Sequence, residues 1–496
     1  MKMCGIYAYF HNSTPQTKYG GLCALKARGP DGMILTHLEK ITLGFTHLRI
    51  NGNGSQPMSG GKWWVLCNGE IFNHVQLEQE LKLTPPPNAS DCWILPYMFE
   101  RYGFNNVCDR LDGEFAIIAY NSENNTLHVF RDPYGIRPLF IGKTSNAIVI
   151  ASELKAMKTC SWVDWVKPGM NTSIDSSFNI TKMKYSYPFN FKLDQEYNQD
   201  LLSLIRTKLI SAVKKRCMSD KPIAALLSGG LDSSIICSIL KQQLKDGETL
   251  NTFSIGMEGS TDLKYARIMA DYLESNHHEI VITKLDILNA IPSVINDIES
   301  YDVTTVRASV GNWMLGRYIR NHTNFKVVFN GDGSDEVFGG YLYFNNAPSD
   351  KEFETEIDRL LSEIHMFDVL RSDRSMSSHG LEARTPFLDK DFVELVRRIP
   401  THILRPTQTQ KEKFVLREAF KNYLPHSIYA RRKEAFSDGV NALNTSWFST
   451  LVNEREWYYS IYRAFYEHDI IPHMWMPKWC PETDDPSART LNIYNK

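Results

Sequence analysis

The run Leu226-Leu227-Ser228-Gly229-Gly230-Leu231-Asp232-Ser233-Ser234 concentrates more chemistry than any other stretch of this chain. An apolar segment of strand length, 222–227, leads into it, and Ile235, Ile236, Ile239, Leu240 and Leu244 follow at the spacing of one helical face. A glycine-rich turn between a strand and a helix gathers backbone N–H groups and the positive end of the helix dipole at one point, which makes a site for phosphate. Ser228, Ser233 and Ser234 add hydroxyl donors, and Asp232 can hold a Mg²⁺ ion that bridges to the phosphate. The plain alternative is an ordinary strand–turn–helix connection of small residues; three hydroxyls, two glycines and an acid so close together argue against it. The run is not a Walker loop. It lacks the lysine, and Gly142-Lys143-Thr144 has Arg137 where the first Walker glycine belongs.

A second chemistry lies at the other end of the chain. A thiol becomes a nucleophile when a base is near, and a terminal cysteine carries one on itself, an α-amino group with a pKa of about 7.7–8.0. Cys4 follows Met1-Lys2-Met3, and the working enzyme is expected to begin at Cys4, through initiation at Met3 or removal of a short leader. Matching parts follow in the same half. His47-Leu48-Arg49-Ile50-Asn51 offers an arginine able to grip a carboxylate bidentately. Cys67-Asn68-Gly69-Glu70 offers an amide side chain, a glycine N–H and an acid, and Ser90-Asp91 a further acid. Arg28-Gly29-Pro30-Asp31 and Arg131-Asp132-Pro133-Tyr134-Gly135-Ile136-Arg137-Pro138 are charged, turn-forming runs. Each alone reads as a loop or a salt bridge; the ordered set reads as a site.

Elements must hold these residues in place. A chain of 496 residues exceeds a single core, so two or three domains are expected. Up to about residue 185, short β-rich runs (5–10, 63–67, 115–120, 127–130, 147–151) alternate with helical stretches at 75–83 and 93–102, which suggests layered sheets with a few helices. The polar, aromatic stretch 185–199, with Pro188, is the expected boundary. Beyond it the pattern predicts a helix over 201–213 and a strand over 222–227. A strand over 249–257, a helix from 262, a strand over 278–283, a long helix ending near 321 and a strand over 326–329 follow. That alternation implies a doubly wound parallel sheet, with ligands beyond the carboxyl ends of its strands. The phosphate loop and Asn330-Gly331-Asp332-Gly333-Ser334-Asp335-Glu336 both fall at such ends, and the chain beyond about 350 reads as mostly helical.

Composition narrows the function classes. A net charge of −2 gives no reason to expect nucleic acid or an anionic membrane as partner. No apolar run approaches the roughly 18 residues of a membrane span, and the first residues are too short in apolar length for a signal peptide. Nine scattered cysteines without a Cys-x-x-Cys pair read as reduced thiols, hence a cytoplasmic protein.

Taken together, the motifs resemble those of the glutamine-hydrolysing asparagine synthetases, which are class II glutamine amidotransferases. The Cys-Gly-Ile, Arg-Gly-Pro-Asp and Asn-Gly-Glu-Ile runs and the stretch 131–139 resemble the glutaminase half. The Ser-Gly-Gly-Leu-Asp-Ser-Ser loop is similar to that of ATP pyrophosphatases. With the runs 301–309, 379–389, 433–439 and 485–491 it resembles the synthetase half, closest to the eukaryotic-type branch. The resemblance implies an α+β, αββα glutaminase domain of the Ntn-hydrolase type over 4–190. It implies an α/β synthetase domain of the ATP-pyrophosphatase type over 200–496, with a helical C-terminal part.

It also implies roles. Cys4 attacks the glutamine amide, and Asn68 with the Gly69 N–H forms the oxyanion hole. Arg49, Ile50, Asn51, Glu70 and Asp91 complete the glutamine site. Leu226 and Ile255 flank adenosine, with Asn330 and Gly331 near it, while Ser228, Gly229, Gly230, Asp232, Ser233, Ser234 and Lys433 take the phosphates. Asp232 and Asp335 hold Mg²⁺, Thr304, Thr305 and Arg307 place aspartate and pyrophosphate, and Asp332 takes part in forming and consuming β-aspartyl-AMP. The substrates would be L-glutamine, L-aspartate and ATP, and relatives are often homodimers. Two positions depart from the family run Ser-Gly-Glu-Gly-Ser-Asp-Glu: Asn330 stands for the serine and Asp332 for the glutamate. The alternatives are an ATP-dependent amide-forming enzyme acting on another carboxylate and an impaired nucleotide-binding homologue.

Overall fold

The structure is a computed structural model that describes residues 4–12, 20–52, 54–185, 196–407, 410–441, 446–448, 451, 453–471, 474–483, 485 and 487–495. The expected N-terminal leader, and 186–195 of the expected domain boundary with Pro188, lie outside the described residues.

Among the described residues, twelve strands build the first half: β1 (Gly5–His11), β2 (Gly32–His37), β3 (Ile41–His47), β4 (Met58–Gly60), β5 (Trp63–Ile71), β6 (Gly113–Asn121), β7 (Thr126–Arg131), β8 (Phe140–Lys143), β9 (Ala147–Ala151), β10 (Trp162–Trp165), β11 (Met170–Ile174) and β12 (Ile180–Lys184). They form two six-stranded sheets, ordered β10-β8-β9-β1-β3-β2 and β12-β11-β7-β6-β5-β4. Side chains alternate across a strand; on the central strands β1, β5 and β6 both faces are covered, while the edge strand β12 is exposed throughout. Ile6, Ala8 and Phe10 of β1 meet Leu66, Ala116 and Ile118 between the sheets. Val65, Cys67, Ile117 and Ala119 on the opposite face pack against Leu95, Met98 and Phe99 of the helix Leu95–Tyr102. Double burial explains why these strands read as continuous apolar runs rather than as alternating ones.

The second half is a five-stranded sheet, β13 (Ile223–Leu226), β14 (Asn251–Met257), β15 (Asn276–Ile282), β16 (Val327–Phe329) and β17 (Glu382–Arg384), ordered β15-β14-β13-β16-β17. Every pairing is parallel. The order reverses at β13 and β16, and the loops that leave these neighbouring strands carry the two motifs. A crevice forms at such a switch point.

Two elements differ from expectation. The long helix ending near 321 is two helices, Lys284–Ile298 and Val303–His322. Glu299 takes left-handed backbone angles (φ +58°) at the end of the first, and Asp302 caps the second by accepting the Thr305 N–H. The break puts Thr304 and Thr305 at a helix start. The other is β17, a three-residue strand inside a region that reads as helical; it is too short to show a period.

Buried charge joins the halves. Arg28, with no exposed side-chain surface, pairs with Glu153 at 2.9 Å and with Asp373 at 2.7 Å, and Arg137 reaches both Glu114 (2.9 Å) and Asp373 (3.3 Å). Asp373 lies on the helix Asp368–Ser377 of the second half. Removing one member of a buried pair strands the other, so Asp373→Ala is expected to cost about 3–5 kcal/mol, seen as a lower urea midpoint. An unchanged midpoint would mean that water already reaches the pair. Burial also holds His128, His277 and His379 down to about 4, whereas in an unfolded chain they titrate near 6.5. For these three groups the unfolded state binds more protons, so the stability they contribute is lost as pH drops from about 6.5 towards 4, against the opposite contribution of Asp132, Asp262 and Asp332, which burial lifts to about 6. Urea midpoints through that window isolate the histidine part: His128→Gln is expected to lose less stability on acidification than the parent chain.

Candidate active sites

Cys4 stands just before β1, fully buried, on the face that lies between the two sandwich sheets. Its N–H donates to Asn68 Oδ1 at 2.9 Å, and Arg28 Nε donates to its carbonyl oxygen at 3.2 Å. Asn68 shares the inner face of β5 with Leu66, two residues back in the strand. Its Nδ2 is buried and has no hydrogen-bond partner among the described residues. A buried donor left unmet costs about 1–3 kcal/mol, and a negatively charged oxygen formed beside Cys4 is what would satisfy it.

Gly69 follows with φ +139°, and a Cβ there would lie 1.9 Å from the Glu114 carbonyl oxygen, so only glycine fits. Both Glu70 oxygens and Asp91 Oδ1 are buried without hydrogen-bond partners among the described residues; the nearest cation to Glu70 is Arg384, at 3.8 Å. Burial, then the charges of Glu382 and Asp91, push the Glu70 carboxyl well above its usual range. An ammonium group would relieve that arrangement. Asp91 Oδ2 accepts the Ile71 N–H at 2.7 Å, which fixes the acid against β5. Cys4, Asn68, Gly69, Glu70 and Asp91 thus converge.

Arg49 and Asn51 stand apart from these contacts. Arg49 is exposed and its N–H donates to Asp31 Oδ2 at 2.7 Å; Asn51 is half-buried, and Ile50 is buried in the core. The loop they belong to packs on 88–90, because a Cβ on Gly52 would meet the carbonyl oxygens of Asn88 and Ala89, each at 2.7 Å.

The second site is a cleft at the switch point of the parallel sheet, enclosing about 200 Å³. Leu226, Ser228, Gly230, Asp232, Ser233, Ile255, Thr304, Thr305, Asn330, Gly331, Asp332, Asp335 and Lys433 all line it. Gly229, Ser234 and Arg307 do not. Gly229 (φ +67°) is pressed onto the helix Thr261–Leu273, where a Cβ would lie 2.3 Å from the Tyr265 carbonyl carbon. Ser234 is fully buried beneath the loop. Arg307 has its donors taken by Glu454 and by Asp485, the latter at 3.0 Å, and stacks on Phe448 at 3.7 Å. Within the phosphate loop, Ser228 Oγ and Ser233 Oγ are 3.1 Å apart, and the Gly230 N–H donates to Ser228 Oγ at 3.3 Å, so the hydroxyls shape the turn.

Two carboxylates converge across the cleft on one ammonium. Lys413 Nζ lies 2.7 Å from both Asp232 Oδ2 and Asp335 Oδ1, and Lys433 Nζ lies 2.6 Å from Asp335 Oδ2. Burial alone would raise the Asp335 carboxyl, but the two ammoniums hold it well below the usual range. Two hard carboxylates that already share a cation suit Mg²⁺, which takes few protein ligands and completes its sphere with phosphate and water. Asp332 is held by Arg371 at 2.8 Å and by Asn330 at 2.6 Å. Burial lifts it to about 6, opposed by Arg371 and assisted by Asp368.

Sequence reasoning missed Lys413, Arg371 and Arg431. Arg431 donates to the Ser228 carbonyl oxygen at 3.0 Å and to Asp262 at 2.7 Å, tying the phosphate loop to the helix Thr261–Leu273. Lys413 sits in Lys411-Glu412-Lys413, which reads as a solvated charge run, yet its side chain is 1 % exposed. Only the fold brings it to Asp232, 181 residues away in sequence.

Residues 3–184 match the family described as a glutamine amidotransferase domain, and residues 204–359 and 345–456 match that described as asparagine synthase. The chain is 37 % identical to the glutamine-hydrolysing asparagine synthetase of Mesocricetus auratus and 36 % identical to that of Homo sapiens, in each case over 99 % of both chains. It is 36 % identical to the probable enzyme of the same name from Acanthamoeba polyphaga mimivirus, over 99 % of this chain and 100 % of the other. With a buried cysteine held against an amide whose Nδ2 has no hydrogen-bond partner among the described residues at one end, and a phosphate loop facing paired acids at the other, the chain belongs to the glutamine-hydrolysing asparagine synthetase family.

Proposed function

We propose that the chain makes L-asparagine from L-aspartate and ATP through β-aspartyl-AMP, with ammonia taken from L-glutamine; glutamate, AMP and pyrophosphate are the other products. The glutaminase step is assigned to residues 4–190 and the synthetase step to 200–496. The observation that carries the first step is the Cys4–Asn68 contact with the Asn68 Nδ2 left open. The Cys4 thiolate attacks the glutamine amide carbon while Asn68 Nδ2 and the Gly69 N–H receive the oxyanion; losing one such donor typically costs about 10²–10³ in rate. Glu70 and Asp91, with unpaired buried oxygens, take the substrate ammonium, and Arg49 takes its carboxylate.

In the cleft, Leu226 and Ile255 form apolar walls for adenine, and the 228–233 turn presents N–H and hydroxyl donors to phosphate. Asp232 and Asp335 would hold Mg²⁺, whose charge offsets that of the departing pyrophosphate. Lys413 and Lys433 supply further positive charge at the same place. Thr304 and Thr305, at their helix start, serve acceptor placement; Arg307 supports that region through Glu454 and Asp485 instead of touching substrate. A carboxylate accepts ammonia only once its oxygen has become a good leaving group, which AMP provides, and enclosure protects the adenylate from water. A cytoplasmic location fits nine scattered cysteines with no Cys-x-x-Cys pair.

The donor assay tests both halves, on protein whose mass shows Cys4 at the N-terminus. Cys4→Ala is expected to abolish glutamine-dependent asparagine formation and to keep the ammonium-dependent reaction. Asp232→Ala is expected to abolish both while glutamine hydrolysis persists. Failure of the unmodified chain to make AMP or asparagine from either donor would overturn the proposal.

A further inference from the structure

Asn330 uses its whole side-chain amide inside the loop that leaves β16. Nδ2 donates to Asp332 Oδ2 at 2.6 Å and to Ser372 Oγ at 2.5 Å, and Oδ1 accepts the Asp332 N–H at 3.3 Å. That is two donors and one acceptor, a set that no hydroxyl side chain can supply. The residue is 4 % exposed, and its own N–H is anchored to the Arg384 carbonyl oxygen at 3.2 Å. The second carboxylate oxygen of Asp332, Oδ1, accepts from Arg371 Nη2 at 2.8 Å, so both oxygens are fixed at the cleft wall.

We infer that Asn330 is a positioning residue for Asp332, and that the two form a matched pair in which a long amide reaches a short carboxylate. The inference rests on the synthetase reading of the cleft given above. Lengthening the acid by one methylene moves its carboxylate by up to about 1.5 Å, off the Asn330 amide. Shortening the amide to a hydroxyl removes the Asn330 contact and leaves the aspartate to Arg371 and Ser372. Misplacement of about 1 Å can cost around 10²-fold in rate, and residues in direct contact are expected to be non-additive.

The test is ammonium-dependent asparagine synthesis, with glutamine hydrolysis at Cys4 as an independent check of folding. Asn330→Ala is expected to lower kcat about 10–100-fold while the KM for ATP changes by less than about threefold. Asp332→Glu alone is expected to lose activity to a similar degree. The double variant Asn330→Ser/Asp332→Glu is expected to exceed both Asp332→Glu and Asn330→Ser, because the shorter side chain makes room for the longer acid. That rescue keeps the test decisive even if Asn330→Ala folds poorly. An unchanged kcat in Asn330→Ala, or a double variant no better than the worse single one, overturns the pairing and leaves the synthetase reading standing. A parent chain inactive with ammonium overturns the synthetase reading and this inference with it.

Discussion

Arg28 is a full positive charge with no exposed side-chain surface, and much of the molecule is arranged to make that tolerable. An ion taken out of water carries a penalty of several kcal/mol that only good partners offset. Its partners come from three places: the Cys4 carbonyl oxygen, Glu153 of the sandwich, and Asp373 with Ser377 from the second half. The network extends through Arg374, 2.9 Å from Glu299, and through Arg216, which reaches both Glu114 and Asp389 at 2.7 Å. The same guanidinium therefore fixes the residue ahead of β1 and the register of one half on the other.

The strands β1, β5, β6, β7 and β9 were legible because they are largely apolar, whereas β4, β8, β10 and β12, short or exposed, carry no such signal; the alternation of strand and helix after residue 200 declares a parallel sheet without help from distant residues. The break at Glu299 was not, since the apolar rhythm continues across it while the backbone turns. Nor was β17, whose three residues take their meaning from pairing with β16. The site followed the same division. Residues inside a motif, such as Asn68 beside Gly69 or Asp232 inside its glycine turn, can be read from their neighbours in sequence. Lys413 and Arg371 take their character from partners far along the chain. Arg307 likewise finds its partners, Glu454 and Asp485, far along the chain, where its neighbours in sequence do not announce them.

The two sites differ in how their acids are held. Around Glu70 and Asp91, carboxyl oxygens are buried without hydrogen-bond partners among the described residues, and burial pushes the Glu70 carboxyl well above its usual range. In the cleft the acids are already neutralised by lysines, and the hydroxyls of the phosphate loop are engaged with one another.

The Arg28–Asp373 contact has a further consequence. Parting the two halves would expose or strand a row of paired ions at once, so their junction behaves as a weld, with no hinge in it.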